Sequence, residues 1–357
     1  MVHGGRVFEA SELTGLRIEE ILDFSANLNA FLDSSPLLDL LKEHIHWISF
    51  YPDVTRALRS LSGFLQLPED NIWVGNGSAE LIFSILRAIR PKKVLIPVPT
   101  FSEYERAALT SGSQVEFLKL REGDGFRPSL EDLLRAGETS EMLILCNPNN
   151  PTGVLFGQEE LLELIRGLKK TWLLLDEAFL CFVQPQRRPD LREVALNERV
   201  ILLRSLTKAF AIPGVRLGYL LAPKDVIRKI RATTPPWPIN TLSQLVLEHL
   251  KELWPILEKG LGEFFIERER FFVRISRYLR AYPSEANFFL LKAKDPQLPR
   301  KLMARGILVR DPSGFRNLDP GYLRVAIRRP WENERLIKVL QEVTDGFEGD
   351  PFPDPAP

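Results

Sequence analysis

Short, nearly unbroken apolar runs punctuate this chain, and turn residues bound most of them. Ile72–Val74, Val94–Pro97, Val115–Lys119, Met142–Cys146, Trp172–Asp176, Val200–Arg204 and Gly218–Leu221 each read as a strand. Four or five apolar residues without polar alternation are what a strand covered on both faces shows. Between the runs, apolar residues return at helical spacing, as at Leu81, Ile82, Ile85, Leu86 and Ile89. Alternation of strand and helix predicts an α/β fold: a mainly parallel sheet with helices on both faces. Thr234-Pro235-Pro236-Trp237-Pro238 breaks the pattern, and an amphipathic helical stretch from about Thr241 to Leu279 then leads into a smaller C-terminal α/β domain. No internal repeat is visible.

Polar residues with chemical potential sit where these strands end. Val200–Leu203 runs into Ser205-Leu206-Thr207-Lys208, and Pro213-Gly214-Val215-Arg216 precedes the next strand. A lysine on a loop between two core strands is partly desolvated and near a cation, which lowers its pKa and favours the neutral nucleophile. Ser205 and Arg216 add a hydroxyl and a planar fork of donors suited to a phosphate dianion. An amine for an aldehyde beside donors for a phosphate points to pyridoxal 5′-phosphate. Taken alone, S-x-x-K is also an ordinary solvated loop.

Three other segments bear on that choice. Cys146-Asn147-Pro148-Asn149-Asn150-Pro151-Thr152-Gly153 is a rigid turn at the carboxyl end of a strand, where open α/β sheets bind ligands. Asp176 and Glu177 end another strand, and an acid there is costly to ionise unless a cation or a protonated ring nitrogen faces it. Gly75-Asn76-Gly77-Ser78 links a strand to a helix start, whose free N–H groups make an anion site; Ser78 is equally a helix cap.

In this order the segments resemble the fold type I pyridoxal-phosphate enzymes, in the aminotransferase class I/II group, from the first residues to about Arg329. The resemblance implies that Lys208 bonds to the cofactor carbonyl, Asp176 pairs with the pyridinium nitrogen and Asn150 bonds the ring 3′-oxygen. It implies Ser205, Arg216, Gly77 and Ser78 around the phosphate, and Phe101 stacked on the ring. Tyr51, in Phe50-Tyr51-Pro52-Asp53, would reach the phosphate of a neighbouring subunit, making the active unit a homodimer. Phe179 stands where many relatives have a tyrosine that donates to the 3′-oxygen, which leaves Asn150 as that oxygen's main partner.

Within the group, two branches are most similar: threonine-phosphate decarboxylases and histidinol-phosphate aminotransferases. His3-Gly4-Gly5, the Leu22–Asn29 segment, Ile307–Asp311 and Gly321–Arg328 resemble the first. The implied reaction is decarboxylation of O-phospho-L-threonine to (R)-1-amino-2-propanol O-2-phosphate, a building block of the cobalamin side chain, with transamination as the alternative. His3, Asn27, Arg310 and Arg324 would contact the substrate, and Arg328 is a further candidate. The expected layout is an N-terminal arm (1–35) contributing to the substrate site, a large cofactor domain (36–236), a small domain (237–347) and a disordered tail (348–357). Domains of this fold also serve as non-catalytic amine sensors joined to DNA-binding modules. That reading expects a basic helix-turn-helix region, which the sequence does not display.

Composition narrows the partners further. The 357 residues carry 47 basic and 47 acidic side chains, so no polyanion footprint points to nucleic acid. Hydrophobic residues make up 45%, enough for a large core, yet no apolar stretch is long enough to span a membrane and the first residues show no export signal. The expected location is the cytoplasm. Cys146 and Cys181 lie beside apolar strands without metal spacing and read as reduced core residues. His44 and His46, two apart on a predicted helix, would face different ways and hold no metal.

Overall fold

In the computed structural model, which describes residues 3–344, the seven predicted strands form one seven-stranded sheet. Its strands are β1 (Ile72–Asn76), β2 (Lys93–Val98), β3 (Gln114–Lys119), β4 (Met142–Cys146), β5 (Trp172–Asp176), β6 (Val200–Ser205) and β7 (Leu217–Leu221). They lie in the order β1-β7-β6-β5-β4-β2-β3. All pair in parallel except β7, which runs against both of its neighbours. Leu143, Leu174, Leu175, Ile201, Leu202 and Leu203 are almost wholly buried, which is why the runs lack alternation. Each such side chain contributes about 2 kcal/mol by leaving water.

The fold is therefore the mainly parallel α/β sheet that the pattern predicts. The amphipathic stretch after residue 240 is two helices, Thr241–Glu248 and Leu250–Ile275, with the chain breaking at His249. Beyond them a second sheet is built on β8 (Phe288–Lys292) and β9 (Tyr322–Ala326), paired antiparallel, with Arg280–Ala281 on the outer edge of β8. Arg310 extends β9's pairing as an isolated antiparallel bridge to Arg324. The N-terminal segment joins this region: Leu22–Asp23 pairs with Ile307–Leu308, and Ala326 N–H donates to the Phe24 carbonyl at 2.8 Å. The expected tail, 348–357, lies outside the described residues.

Two expectations change. His44 and His46 do not sit on opposite faces of a helix, because the helix ends at Glu43 and a 3₁₀ turn over Ile45–Ser49 follows; their rings stack 6.3 Å apart. Among the described residues no group of side chains is arranged to hold a metal ion. Cys146 is buried, but Cys181 is only half-buried, in the short turn that follows β5. No helix among the described residues is long and apolar enough to cross a membrane.

Candidate active site

The reversed strand gathers the site. Parallel strands β4, β5 and β6 deliver Cys146, Asp176 and Ser205 to one edge, and β7 enters the sheet at that same edge. Register places Ser205 opposite Gly218 and Asn76 opposite Leu217, so Arg216 lands beside the start of helix Ser78–Ile89. A Cβ on Gly218 would sit 2.6 Å from the Ser78 nitrogen, so only glycine admits that approach. Gly77 adopts φ +85°, and a Cβ there would meet Arg216 Nη2 at 2.5 Å. Glycine thus lets a guanidinium stand over a helix N-terminus, two sources of positive potential focused on one spot. Gly77→Ala is expected to strain this cradle by about 1–2 kcal/mol and to weaken cofactor binding about tenfold. Equilibrium dialysis would measure it, and an unchanged dissociation constant would reject the role.

Lys208 lies in the four-residue helix Leu206–Ala209, directly after β6. Thr207 pins the turn to β7: its Oγ1 donates to the Leu217 carbonyl and accepts from the Leu217 N–H, both at 3.1 Å. The lysine side chain opens into a cavity while its amine is sunk among protein atoms. Burial, helped by Arg216, brings its pKa down to about 8. Asp176 is buried beneath: its Oδ2 accepts from the Tyr104 hydroxyl at 2.7 Å and its Oδ1 from the Ala178 N–H at 2.9 Å. Burial raises the Asp176 carboxyl above its ordinary value, although both bonds and Lys208 pull the other way.

Asn150 projects from the Asn-Pro turn, which its neighbours clamp. Asn147 bonds both ways with the Phe156 backbone, at 2.7 and 3.0 Å, and Asn149 bonds the Pro99 carbonyl and Thr152. Asn150 Oδ1 accepts from Arg324 Nη1 at 2.5 Å, and Arg324 Nη2 donates to the Ser25 carbonyl at 2.8 Å. Arg310 and Arg324 exchange both backbone hydrogen bonds at 3.0 Å, which sends their side chains to the same face. Both are buried, and burial next to Arg310 brings Arg324 down to about 9. Arg310 Nη1, Arg324 Nε, Asn27 Oδ1 and Ser205 Oγ are buried without a partner.

These groups line one cavity of about 700 Å³. Of the residues expected from the sequence, Ser78, Phe101, Asn150, Asp176, Ser205, Lys208 and Arg216 line it, as do His3, Asn27, Arg310 and Arg324. His3 closes one side, its Nε2 3.1 Å from Glu103 Oε1 and its ring 5.9 Å from that of Phe101. Gly77 lies just behind the lining, against Arg216. Tyr51 is elsewhere: it is 76% exposed and stacked on Trp237 at 4.2 Å. Arg328 is committed to Glu332 and the Asp23 carbonyl and does not line the cavity. Phe179 lines the cavity edge-on to Phe288.

Tyr104 and Phe315 are among the cavity residues that escaped the sequence reading, with Val7, Phe8 and Glu103. Tyr104 follows Phe101 by three positions, so helical spacing beyond that aromatic would have pointed to it. Phe315 left no such signal, because it sits on an irregular loop whose path only tertiary contacts set.

A buried acid facing a desolvated lysine, beside a helix N-terminus crowned by arginine, defines with this fold a fold type I pyridoxal-phosphate-dependent enzyme. The chain belongs to the aminotransferase class I and II family, whose model matches residues 19–340. It is 35% identical to the threonine-phosphate decarboxylase of Salmonella typhimurium, over 97% of both chains. An adenosylcobalamin biosynthesis bifunctional protein of Leptospira interrogans is 30% identical over 96% of this chain and 41% of that one. The histidinol-phosphate aminotransferase of Clostridium acetobutylicum superposes with a TM-score of 0.83 at 29% identity, covering 92% of this chain and all of that one. The cofactor is pyridoxal 5′-phosphate, and the residues fit it. Asp176 suits a protonated ring nitrogen, Lys208 a carbonyl, and the unpartnered Ser205 hydroxyl with Arg216 and Ser78 a phosphate.

Proposed function

We propose that this protein is a cytoplasmic enzyme that decarboxylates O-phospho-L-threonine to (R)-1-amino-2-propanol O-2-phosphate for cobalamin biosynthesis. The observation that carries this reading is the arginine pair. Two buried guanidiniums side by side repel each other unless anions face them, and the described side-chain bonds of Arg324 go to neutral oxygens. A substrate with both a phosphate and a carboxylate answers both arginines at once, whereas histidinol phosphate brings the phosphate alone and only its co-substrate 2-oxoglutarate brings carboxylates. The likeness to the Salmonella decarboxylase supports the same choice, and the likeness to the Leptospira protein supports the pathway.

When bound, the cofactor supplies a carbonyl for the substrate amine and a ring that draws electrons from the α-carbon. The chain's own residues supply position and protons. Asp176 keeps the ring nitrogen protonated, Asn150 bonds the 3′-oxygen and Phe101 covers the ring face. Ser205, Arg216, Gly77 and Ser78 hold the cofactor phosphate. Arg310 and Arg324 would hold the substrate's phosphate and carboxylate beside the cofactor. Asn27 and His3 close the cavity over the substrate. Once carbon dioxide has left, the Lys208 ammonium delivers a proton to the α-carbon. The arm (1–35) and the small domain (237–347) thus serve the substrate, and the large domain (36–236) serves the cofactor.

The active unit in this reading is a homodimer, with Tyr51 reaching the phosphate of the neighbouring site. Its exposed ring, within a run that also exposes Ile45, Ile48 and Phe50, supports that role. The deciding experiment incubates the holoenzyme with O-phospho-L-threonine, and separately with histidinol phosphate plus 2-oxoglutarate, while carbon dioxide and glutamate are measured. Carbon dioxide from the first is expected. Glutamate from the second without carbon dioxide from the first would replace decarboxylation by transamination.

A further inference from the structure

Arg310 and Arg324 pose a physical problem before any ligand arrives, because both are buried on paired backbone and neither forms an ion pair among the described residues, Asp311 and Asp23 acting on them only from a distance. Proteins usually neutralise such groups with carboxylates, yet a carboxylate would occupy the donors that a ligand needs. What the two arginines share is an aromatic ring. Phe315 lies 5.1 Å from Arg310 Cζ and 5.9 Å from Arg324 Cζ, and Phe288 adds a second ring 5.1 Å from Arg324. The face of a phenyl ring is the negative end of its quadrupole and stabilises a cation lying over it. Guanidinium N–H groups point outward in their own plane, so a ring over the face takes none of them; Nη1 and Nη2 of Arg324 are engaged by the neutral oxygens of Asn150 and Ser25. Arg310 Nη1 and Arg324 Nε are indeed without partners.

The ring is held from outside the arginine pair. Next to it, Arg316 grips both carboxylate oxygens of Glu105, at 2.5 and 3.1 Å, and lies over the Phe117 ring at 4.4 Å. Asn317 donates to the Leu120 carbonyl at 2.8 Å. These contacts tie the loop to the large domain and bring the buried Phe315 side chain into the cavity wall.

We propose that Phe315 is a positioning residue for substrate recognition: its face stabilises two neighbouring guanidiniums side by side while leaving Arg310 Nη1 and Arg324 Nε free for a phosphate and a carboxylate. The inference rests on the reading of Arg310 and Arg324 as the substrate's anion site. A plain packing residue would need only apolar volume there, whereas this role needs a ring.

The test uses the holoenzyme, whose cofactor phosphate site is filled, as wild type, Phe315→Leu and Phe315→Tyr. Calorimetric affinity for inorganic phosphate, KM and kcat for O-phospho-L-threonine, and the thermal midpoint are measured. Phe315→Leu is expected to weaken phosphate binding and raise KM about tenfold with kcat nearly unchanged. Phe315→Tyr should keep most of the affinity. Phe315→Met serves as the ring-free variant if the leucine protein does not fold. Unchanged phosphate affinity in the ring-free protein, or an equal loss in Phe315→Tyr, would overturn the proposal. A wild type that ignores O-phospho-L-threonine, with phosphate binding still falling in Phe315→Leu, would sink the substrate reading and leave the role of Phe315 standing.

Discussion

Lys208→Ala is expected to lower turnover by about 10³-fold or more, since in the proposed mechanism that side chain is both the nucleophile and the proton carrier at the α-carbon. Wild-type holoenzyme reduced with borohydride and then denatured should keep its cofactor on the peptide containing residue 208, and the alanine protein should keep none. The same amine gives a pH signature. Burial and Arg216 hold it at about 8, against an ordinary value of 10.5. Below about 8 it is protonated and cannot attack a carbonyl; above, it is neutral. Covalent loading of cofactor-free protein should therefore speed up about tenfold per pH unit below that midpoint and level off above it. Stopped-flow absorbance reads the rate, and a profile still climbing toward 10.5 would contradict the buried setting.

Asp176→Ala is expected to cost nearly as much. Removing one partner of a buried charge pair costs about 3–5 kcal/mol, equivalent to about 10²- to 10⁴-fold in rate if the pairing is made in the transition state. The substitution also strands the Tyr104 hydroxyl, whose acceptor is the lost carboxylate. The effect should fall on kcat rather than on affinity for inorganic phosphate, because the arginine pair lies on another strand. Steady-state kinetics beside phosphate calorimetry separates the two. A variant within about tenfold of wild type would show that the acid does not govern the chemistry.

Most of the scaffold was legible because burial on both faces leaves a local mark. Six of the seven strands announced themselves as apolar runs, the half-exposed edge strand Gln114–Lys119 with its Glu116 being the exception, and Asp176, Asn150 and Lys208 stood at or just beyond the ends of three of them. Direction was not legible: nothing in Leu217–Leu221 distinguishes a strand that runs against its neighbours from one that runs with them. Nor was the bridge between Arg310 and Arg324, which joins residues on separate segments through pairing alone. Tyr104 and Phe315 were missed for a related reason. A single aromatic residue among polar neighbours, as in Ser102–Arg106 and Ser313–Asn317, carries no local mark of a site, and only its distance to a charge reveals its duty. Tyr51 stands apart, exposed in its own subunit, so its proposed task belongs to an assembly rather than to one chain.

The lone reversed strand has a further outcome. Because Ser205 and Gly218 are locked side by side, the intervening segment is a closed circuit that leaves and re-enters the sheet at one point. A molecule held at once by Lys208 and Arg216 would bridge the near limb of that circuit to its far limb, like a rivet through a folded strap. Amide exchange and protease nicking in residues 206–216 should thus report cofactor occupancy, while the strands on either side stay silent.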